Sequence, residues 1–351
     1  MRVATYYSNK DIRIEERPIP KIGPGELLIR VEACGICGTD VIEWYRHERV
    51  PLILGHEIAG EIIEVGEGLT RYKKGQRVSC SHHVPCGRCN YCLRGHQSVC
   101  DTLRKTHFDP GGFSEYLRLP AINVELGGVY LLPDAVSYEE ATFTEPLACV
   151  LRGQNLTKMS KGKSVLVMGC GVAGILHIMI ARLKGASFVA ACDVVDYRLR
   201  FASYSGADAI INAQKEDVPK RFRQLNRGRG ADLVIIATGA KVAHIQGLEA
   251  VERAGYVLFF AATDRGVTIP LSINELFWRN EVTLTSSYAA TPQEHLDALG
   301  LIRTGKIPAK AMITHRFSLD RIQEGFRLVA EAKDSLKVII QPQSWPDRSS
   351  N

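Results

Sequence analysis

The chain changes texture near residue 160. Before it, short stretches in which apolar and polar residues alternate, such as residues 26–32 (ELLIRVE) and 58–65 (IAGEIIEV), are separated by glycine and proline punctuation such as IGPGE and GEGL. A period of two sends successive side chains to opposite faces, so this part is predicted to be β-rich. Beyond it, the apolar run 164–169 (SVLVMG) leads into a helical stretch at 172–183, a strand at 187–192 (SFVAAC), a helix at 196–204 and a short strand at 209–212 (AIIN). A helix around 219–225, a strand at 232–237 (DLVIIA), a helix at 242–253 and a strand at 256–261 (YVLFFA) complete the series. Strand and helix alternating at this spacing argue for a parallel, doubly wound sheet.

After about residue 285 come two helices, 292–304 and 319–332, and a last strand, 336–340 (LKVII). They make neither a second nucleotide fold nor a free-standing domain, so this segment is predicted to return to the first one. The expected organisation is residues 1–150 with 286–351 in one domain and 151–285 in the other. The tail 343–351 reads as disordered, and no internal repeat is present.

Length and composition agree with two globular domains: 351 residues, 45% hydrophobic and 23% charged. The net charge of +6 comes from Lys and Arg interleaved with Asp and Glu, which is a solvated surface and not a nucleic-acid tract. The N-terminus has no apolar signal segment, and apolar runs such as 232–237 are strand length, so a cytoplasmic, membrane-free protein is expected. Ten cysteines then change the picture. Four of them cluster between Cys86 and Cys100, and in a reducing compartment clustered cysteines are more often metal ligands than bridges.

Gly169-Cys-Gly171-Val172-Ala173-Gly174 follows a predicted strand and opens a predicted helix. In that setting G-x-G-x-x-G is a dinucleotide loop: glycine lets the backbone turn tightly and approach a pyrophosphate, and the free N–H groups of the helix N-terminus meet the phosphates. Asp193 lies 19 residues beyond Gly174, at the end of the next strand. A carboxylate there accepts hydrogen bonds from ribose hydroxyls and repels a 2′-phosphate, which favours NAD over NADP. Arg198 and Arg200 bring positive charge to the same region, and Arg198 joins the loop residues and Asp193 in the expected cofactor set.

Cys86-x-x-Cys89-x-x-Cys92-x7-Cys100 supplies four thiolates within fifteen residues, enough to close a tetrahedral zinc site with no position left for substrate. Its expected role is structural, the metal ordering a lobe too poor in apolar residues to order itself. Three separated pieces offer ligands for a second metal: Cys37 in CGICGTD, His56 and Glu57 in LGHE, and Glu145 in TEPLACV. Together they give one sulfur, one nitrogen and carboxylate oxygens, the set of a zinc site that keeps a position open.

The motifs CGICGTD, GHEIAGEIIEVGEG, GQRVSC, the four-cysteine lobe, GGFSEY, EPLACV, GCGVAG and ITHRFSLDRIQEGF, in that order, resemble the zinc-dependent medium-chain dehydrogenase/reductase family, particularly its sorbitol, threonine and butanediol dehydrogenase branch. The resemblance covers almost the whole chain. It implies an α/β protein in which a β-rich catalytic domain of GroES-like fold is interrupted by a Rossmann domain, with the active site in the cleft between. It implies two zinc ions per chain and NAD. Cys37 and His56 would be ligands of the catalytic zinc, with Glu57 and Glu145 sharing the remaining protein position. Cys86, Cys89, Cys92 and Cys100 would hold the structural zinc, and Thr39 would relay the substrate's proton.

Two departures bear on the substrate. Many polyol members carry a His shortly after the G-T-D step, where this chain has Ile42, so the outer end of the relay would be water, a ribose hydroxyl or His47. A His often follows E-P-L, where this chain has Arg152. The loop 44–49 (WYRHER) adds Arg46, His47 and Arg49, which either meet an anionic group, as in a sugar acid or sugar phosphate, or are ordinary exposed cations. The expected reaction is hydride transfer from the secondary alcohol of a neutral polyol or sugar derivative, with threonine or another amino alcohol as the alternative. A metal-free NADPH reductase and a protein using zinc and NAD without turnover are the rivals. No nucleic-acid or membrane partner is expected. The stretch 282–286 (VTLTS) has edge-strand character and suits pairing between subunits in a tetramer or dimer.

Overall fold

A computed structural model describes residues 1–344. The chain divides into two compact units, Met1–Ala148 together with the chain from Ala289 onward, and Cys149–Tyr288. The crossing point between them lies inside one helix, Thr144–Leu156.

The first unit is built on a mixed seven-stranded sheet in the order Ile313–Ser318, Lys337–Gln341, Leu27–Gly35, Glu57–Val65, Arg77–Cys80, Val129–Leu131, with Tyr116–Leu119 also paired to Leu27–Gly35. The alternation read at 26–32 is the central strand, in which Leu27, Ile29, Val31 and Ala33 are fully buried. Its register places the candidate site. Gly35 pairs with Glu57 on one side, while Ile339 of the returning C-terminal strand pairs with Gly35 on the other. The Cys37 loop therefore leaves the sheet between the His56–Glu57 strand and a strand from the far end of the sequence. A three-stranded sheet, Asp11–Glu16, Arg2–Ser8 and Leu52–Ile53, completes this unit.

The second unit is a six-stranded, wholly parallel sheet in the order Ala209–Asn212, Phe188–Asp193, Ser164–Met168, Ala231–Ile236, Val251–Phe259, Thr283–Ser286. Strand order reverses on either side of Ser164–Met168, so the glycine loop that follows this strand sits where a doubly wound sheet takes its ligand. All five residues of Ser164–Met168 are buried, which explains why it reads as one apolar run and not as alternation.

Two local expectations need correcting. The helix predicted at 242–253 runs only over Lys241–Ala250, because Val251 already belongs to the strand Val251–Phe259 and the Glu252 carboxylate turns back to accept the Gly230 N–H at 2.7 Å. The tail predicted as disordered falls outside the described residues from 345 on. Its first residue, Gln343, is tied down: its side-chain amide donates to the carbonyls of Val31 and Glu115 at 3.1 and 2.7 Å. Among the described residues no helix is long and apolar enough to cross a membrane.

Candidate active site and metal centres

Cys37, His56 and Glu57 come together at the end of the central strand, each offering one ligand atom within 4.8 Å of the others. Zinc bonds to sulfur and nitrogen are about 2.0–2.3 Å, so one ion can bridge these donors with small side-chain adjustments. The donor set fits zinc. Glu145 is half-buried in the first turn of the helix Thr144–Leu156 and is not one of the three.

Asp40 organises the trio from beneath. It is fully buried; Oδ2 accepts the Cys37 N–H at 3.0 Å, and Oδ1 lies 3.5 Å from His56 Nδ1. Facing Nδ1 toward a carboxylate fixes the ring and leaves Nε2 for a metal. Burial alone would push the His56 imidazole down, but the Asp40 carboxylate and the Cys37 sulfur outweigh it and hold it well above its ordinary value. Burial would likewise raise Asp40, and His56 with Arg46 overcomes this to keep it lowered.

Thr39 is exposed, and its hydroxyl donates to Cys37 Sγ at 3.3 Å. On the far side of His56 stands His82, its ring centroid 5.0 Å away. His82 Nδ1 is buried without a protein partner. His83 stacks behind it at 3.8 Å, with Nδ1 3.0 Å from the Thr106 carbonyl, and burial lowers its pKa to about 3. Glu57 is anchored from another direction by Lys337, whose ammonium donates to Oε2; the two side chains are 2% and 1% exposed.

Of the basic loop, Arg46 is turned inward, while His47 and Arg49 stay exposed. Arg46 donates to the Thr39 carbonyl at 3.2 Å, lies 3.7 Å from Asp40 and stacks over the Tyr45 ring at 4.7 Å. Arg49 donates to the Tyr45 carbonyl at 3.3 Å and covers the same ring. His47 is exposed in a short helical turn, and Arg152 is buried on the helix Thr144–Leu156.

Cys86, Cys89, Cys92 and Cys100 bring four sulfurs within 4.8 Å of one another. Backbone donors are aimed at them: Cys89 N–H at Cys86 Sγ, 3.3 Å, and Cys86 N–H at Cys100 Sγ, 3.5 Å. Burial acts against ionising Cys100, but hydrogen bonds from the backbone N–H groups of Cys86 and Leu103 outweigh it and draw the thiol down to about 6. Burial and the neighbouring sulfurs push Cys92 the other way, up to about 12, so the metal-free lobe favours the thiolate at Cys100 and not at Cys92. Four clustered sulfurs are the donor set of a closed zinc site.

In the second unit Val172 opens the helix Val172–Leu183 and Gly171 caps it. The three glycines have different reasons. Gly169 has φ +96°, and a Cβ there would lie 2.9 Å from the Ala237 carbonyl; a Cβ on Gly174 would collide with the Gly169 carbonyl. A Cβ on Gly171 would meet only Arg198 Nη1, at 3.8 Å, so the chain is bare there toward open space. That cradle fits a pyrophosphate. Asp193 proves busier than expected: Oδ2 accepts the Cys170 N–H at 2.7 Å, and Oδ1 accepts those of Val194 and Val195 at 2.7 and 2.9 Å. It ties the glycine loop to its strand and still has a lone-pair position for a ribose hydroxyl.

Comparison with known proteins agrees with both halves. Residues 23–127 match the alcohol dehydrogenase GroES-like domain, and residues 173–304 match the zinc-binding dehydrogenase domain. L-threonine 3-dehydrogenase of Bacillus licheniformis is 34% identical over 330 residues, 92% of this chain and 93% of that one. The chain belongs to the zinc-dependent medium-chain dehydrogenase family. This dehydrogenase is also 30% identical to sorbitol dehydrogenase of Bacillus subtilis, with 97% of each chain covered. Its fold matches galactitol-1-phosphate dehydrogenase of Escherichia coli with a TM-score of 0.85 at 26% identity, over 97% of this chain and 100% of that one. It is accordingly an oxidoreductase acting on CH–OH groups.

Three residues around the candidate metal site escaped the sequence reading: Asp40, His82 and Lys337. Asp40 stood inside CGICGTD and His82 inside SHHVPC, but neither showed what it would touch. Lys337 left a signal, a lone cation at the start of the apolar strand LKVII, since a charge on a buried strand requires a partner.

Proposed function

We propose that this dehydrogenase oxidises a secondary hydroxyl of a neutral polyol or sugar derivative, with zinc at Cys37, His56 and Glu57 and NAD on the Gly169–Gly174 loop. The observation that carries the reading is the convergence of sulfur, imidazole and carboxylate within 4.8 Å, with the Thr39 hydroxyl on the sulfur and the unpartnered His82 Nδ1 close by. A second hydroxyl on the substrate would satisfy His82, which a simple alkanol leaves unpaired. The anionic-substrate reading loses support at Arg46, which is turned to the Thr39 carbonyl and the Asp40 carboxylate.

Zinc held by Cys37, His56 and Glu57 would supply Lewis-acid polarisation of a hydroxyl, and NAD held on the Gly169–Gly174 loop would supply the hydride acceptor. Asp40 holds His56 in orientation and fixes the Cys37 backbone, and Arg46 pins the carbonyl of Thr39. Thr39 Oγ1 accepts the substrate proton while passing on its own. Ile42 offers no onward acceptor, so the outlets for the proton are water, a ribose hydroxyl of the dinucleotide or His47, which is exposed. Asp193 favours NAD because its carboxylate repels a 2′-phosphate, while Arg198, whose Nη1 lies 3.8 Å from where a Cβ on Gly171 would stand, brings a cation to the same loop. Glu145 is proposed as the carboxylate that exchanges with Glu57, and the Cys86–Cys100 zinc as structural. A homo-oligomer is proposed as well, because Thr283–Ser286 forms an open edge of the parallel sheet.

The test is NADH formation by zinc-loaded protein across polyols, sugar phosphates, sugar acids, threonine and simple alkanols. A polyol is expected to give the highest kcat/KM, and His82→Phe to narrow its lead over an alkanol. Highest activity with threonine would replace the polyol, and no dinucleotide reduction with any of them would refute the enzyme reading.

A further inference from the structure

We propose that Lys337 sets how Glu57 meets the metal: by holding Oε2, its ammonium leaves the carboxylate one oxygen to give and so keeps a coordination position open for substrate. The proposal rests on the reading of the trio as the catalytic zinc site.

The pair is a constructed feature of the fold. Lys337 begins the strand Lys337–Gln341, which comes from the far end of the sequence and pairs with the end of Leu27–Gly35 beside Glu57. Room for the pair exists because residue 35 is glycine, since a Cβ there would collide with both Glu57 Oε2 and Lys337 Cε. The backbone at Gly35 has no positive φ, so space and not conformation is what glycine provides. The Phe143 ring lies 5.3 Å from the ammonium. Both ends of the bond are therefore almost wholly withdrawn from water.

Neither stability nor metal affinity explains such an arrangement. A buried ion pair recovers little more than the desolvation it costs. An ammonium on a carboxylate oxygen also competes with a cation for that carboxylate. What the pair does provide is geometry. A carboxylate free to turn can bind a cation through both oxygens, which would raise the coordination number and occupy the place a catalytic zinc leaves for substrate. With Oε2 captured, Glu57 is restricted to a single oxygen. Lys337 is thus a positioning residue that acts through Glu57.

The test uses full-length protein with zinc retained in the four-cysteine site and Co(II) placed in the Cys37 site, whose visible spectrum reports coordination number. Wild type is expected to give the intense bands of four-coordinate cobalt. Lys337→Met and Gly35→Ala, one removing the cation and the other displacing the pair, should each lose intensity by about twofold or more as coordination rises. Lys337→Arg should restore the wild-type spectrum. Zinc should bind Lys337→Met roughly tenfold more tightly while kcat falls, whereas a merely structural lysine would loosen the metal. A folded Lys337→Met with the wild-type spectrum, or with weaker zinc binding, overturns the proposal. If Lys337→Met does not fold, Gly35→Ala decides, and an unchanged spectrum overturns it. Wild type without four-coordinate cobalt in this site overturns both the proposal and the metal-site reading beneath it.

Discussion

Asp40→Asn isolates one charge beneath the metal site. The side chain keeps its shape and can still accept the Cys37 N–H now bonded at 3.0 Å, but its other end becomes an NH2 group facing His56 Nδ1, 3.5 Å away. Two donors then oppose each other, so the imidazole must change tautomer or turn, and Nε2 no longer points reliably at the cation. Loss of such a supporting partner costs 10–100-fold in metal affinity, or roughly 1.4–2.8 kcal/mol at about 1.4 per tenfold. The metal-free fold should lose less, about 1 kcal/mol, the difference between a charged and a neutral hydrogen bond. The pH dependence separates the two. Without metal, the lowered Asp40 contributes stability above its ordinary pKa that is lost as pH falls through its folded value, and the raised His56 contributes stability below its ordinary pKa that is lost as pH rises through its folded value. Both contributions should shrink in the variant. The assay is competition for zinc against a chromophoric chelator, paired with denaturant unfolding of apo protein. Zinc affinity within about twofold of wild type would refute the reasoning and show that the loop backbone orients His56 unaided.

Gly174→Ala should cost about 1–3 kcal/mol or more of unfolding free energy, because its methyl meets the Gly169 carbonyl. Gly171→Ala should leave unfolding within about 0.5 kcal/mol yet weaken NAD binding by about tenfold or more, checked by denaturation and calorimetric titration of both variants. Burial lowers His177 to about 3 and His295 to about 4. Below pH about 6.5 the unfolded chain therefore takes up protons that the folded one refuses, and stability falls with pH by up to about 1.4 kcal/mol per unit for each. His295→Phe, which keeps the stack on Tyr130, should flatten that acid limb in urea melts run across pH. Cys92→Ala should lower zinc content by one ion per chain and depress Tm before it affects turnover; a stable protein with lost turnover alone would contradict the structural role of the lobe.

The elements that were legible in advance are those fixed by neighbours in sequence. The helices Val172–Leu183 and Asp196–Tyr204 and the strand Ala209–Asn212 stand where their apolar period and flanking glycines put them. The four cysteines meet because x-x spacing around a tight turn leaves them little choice. The error at 242–253 has the same origin in reverse: nothing local marks Ala250 as the last helical residue, since Val251 leaves the helix to pair with Ala231.

The amino-acid sequence by itself determined which side chains are candidates for the chemistry: a sulfur, an imidazole, carboxylates, a cysteine cluster and a bare glycine loop. These are matters of residue type and short spacing, which local backbone preference converts directly into geometry. Only the tertiary structure decided how those groups are held. That Lys337 grips Glu57 across 280 positions, that Asp40 faces His56, that Arg46 turns inward and that Asp193 already holds three backbone N–H groups all depend on strand register and burial. Such pairings form because a charge withdrawn from water must find its partner wherever the fold places one, and sequence separation has no bearing on that distance.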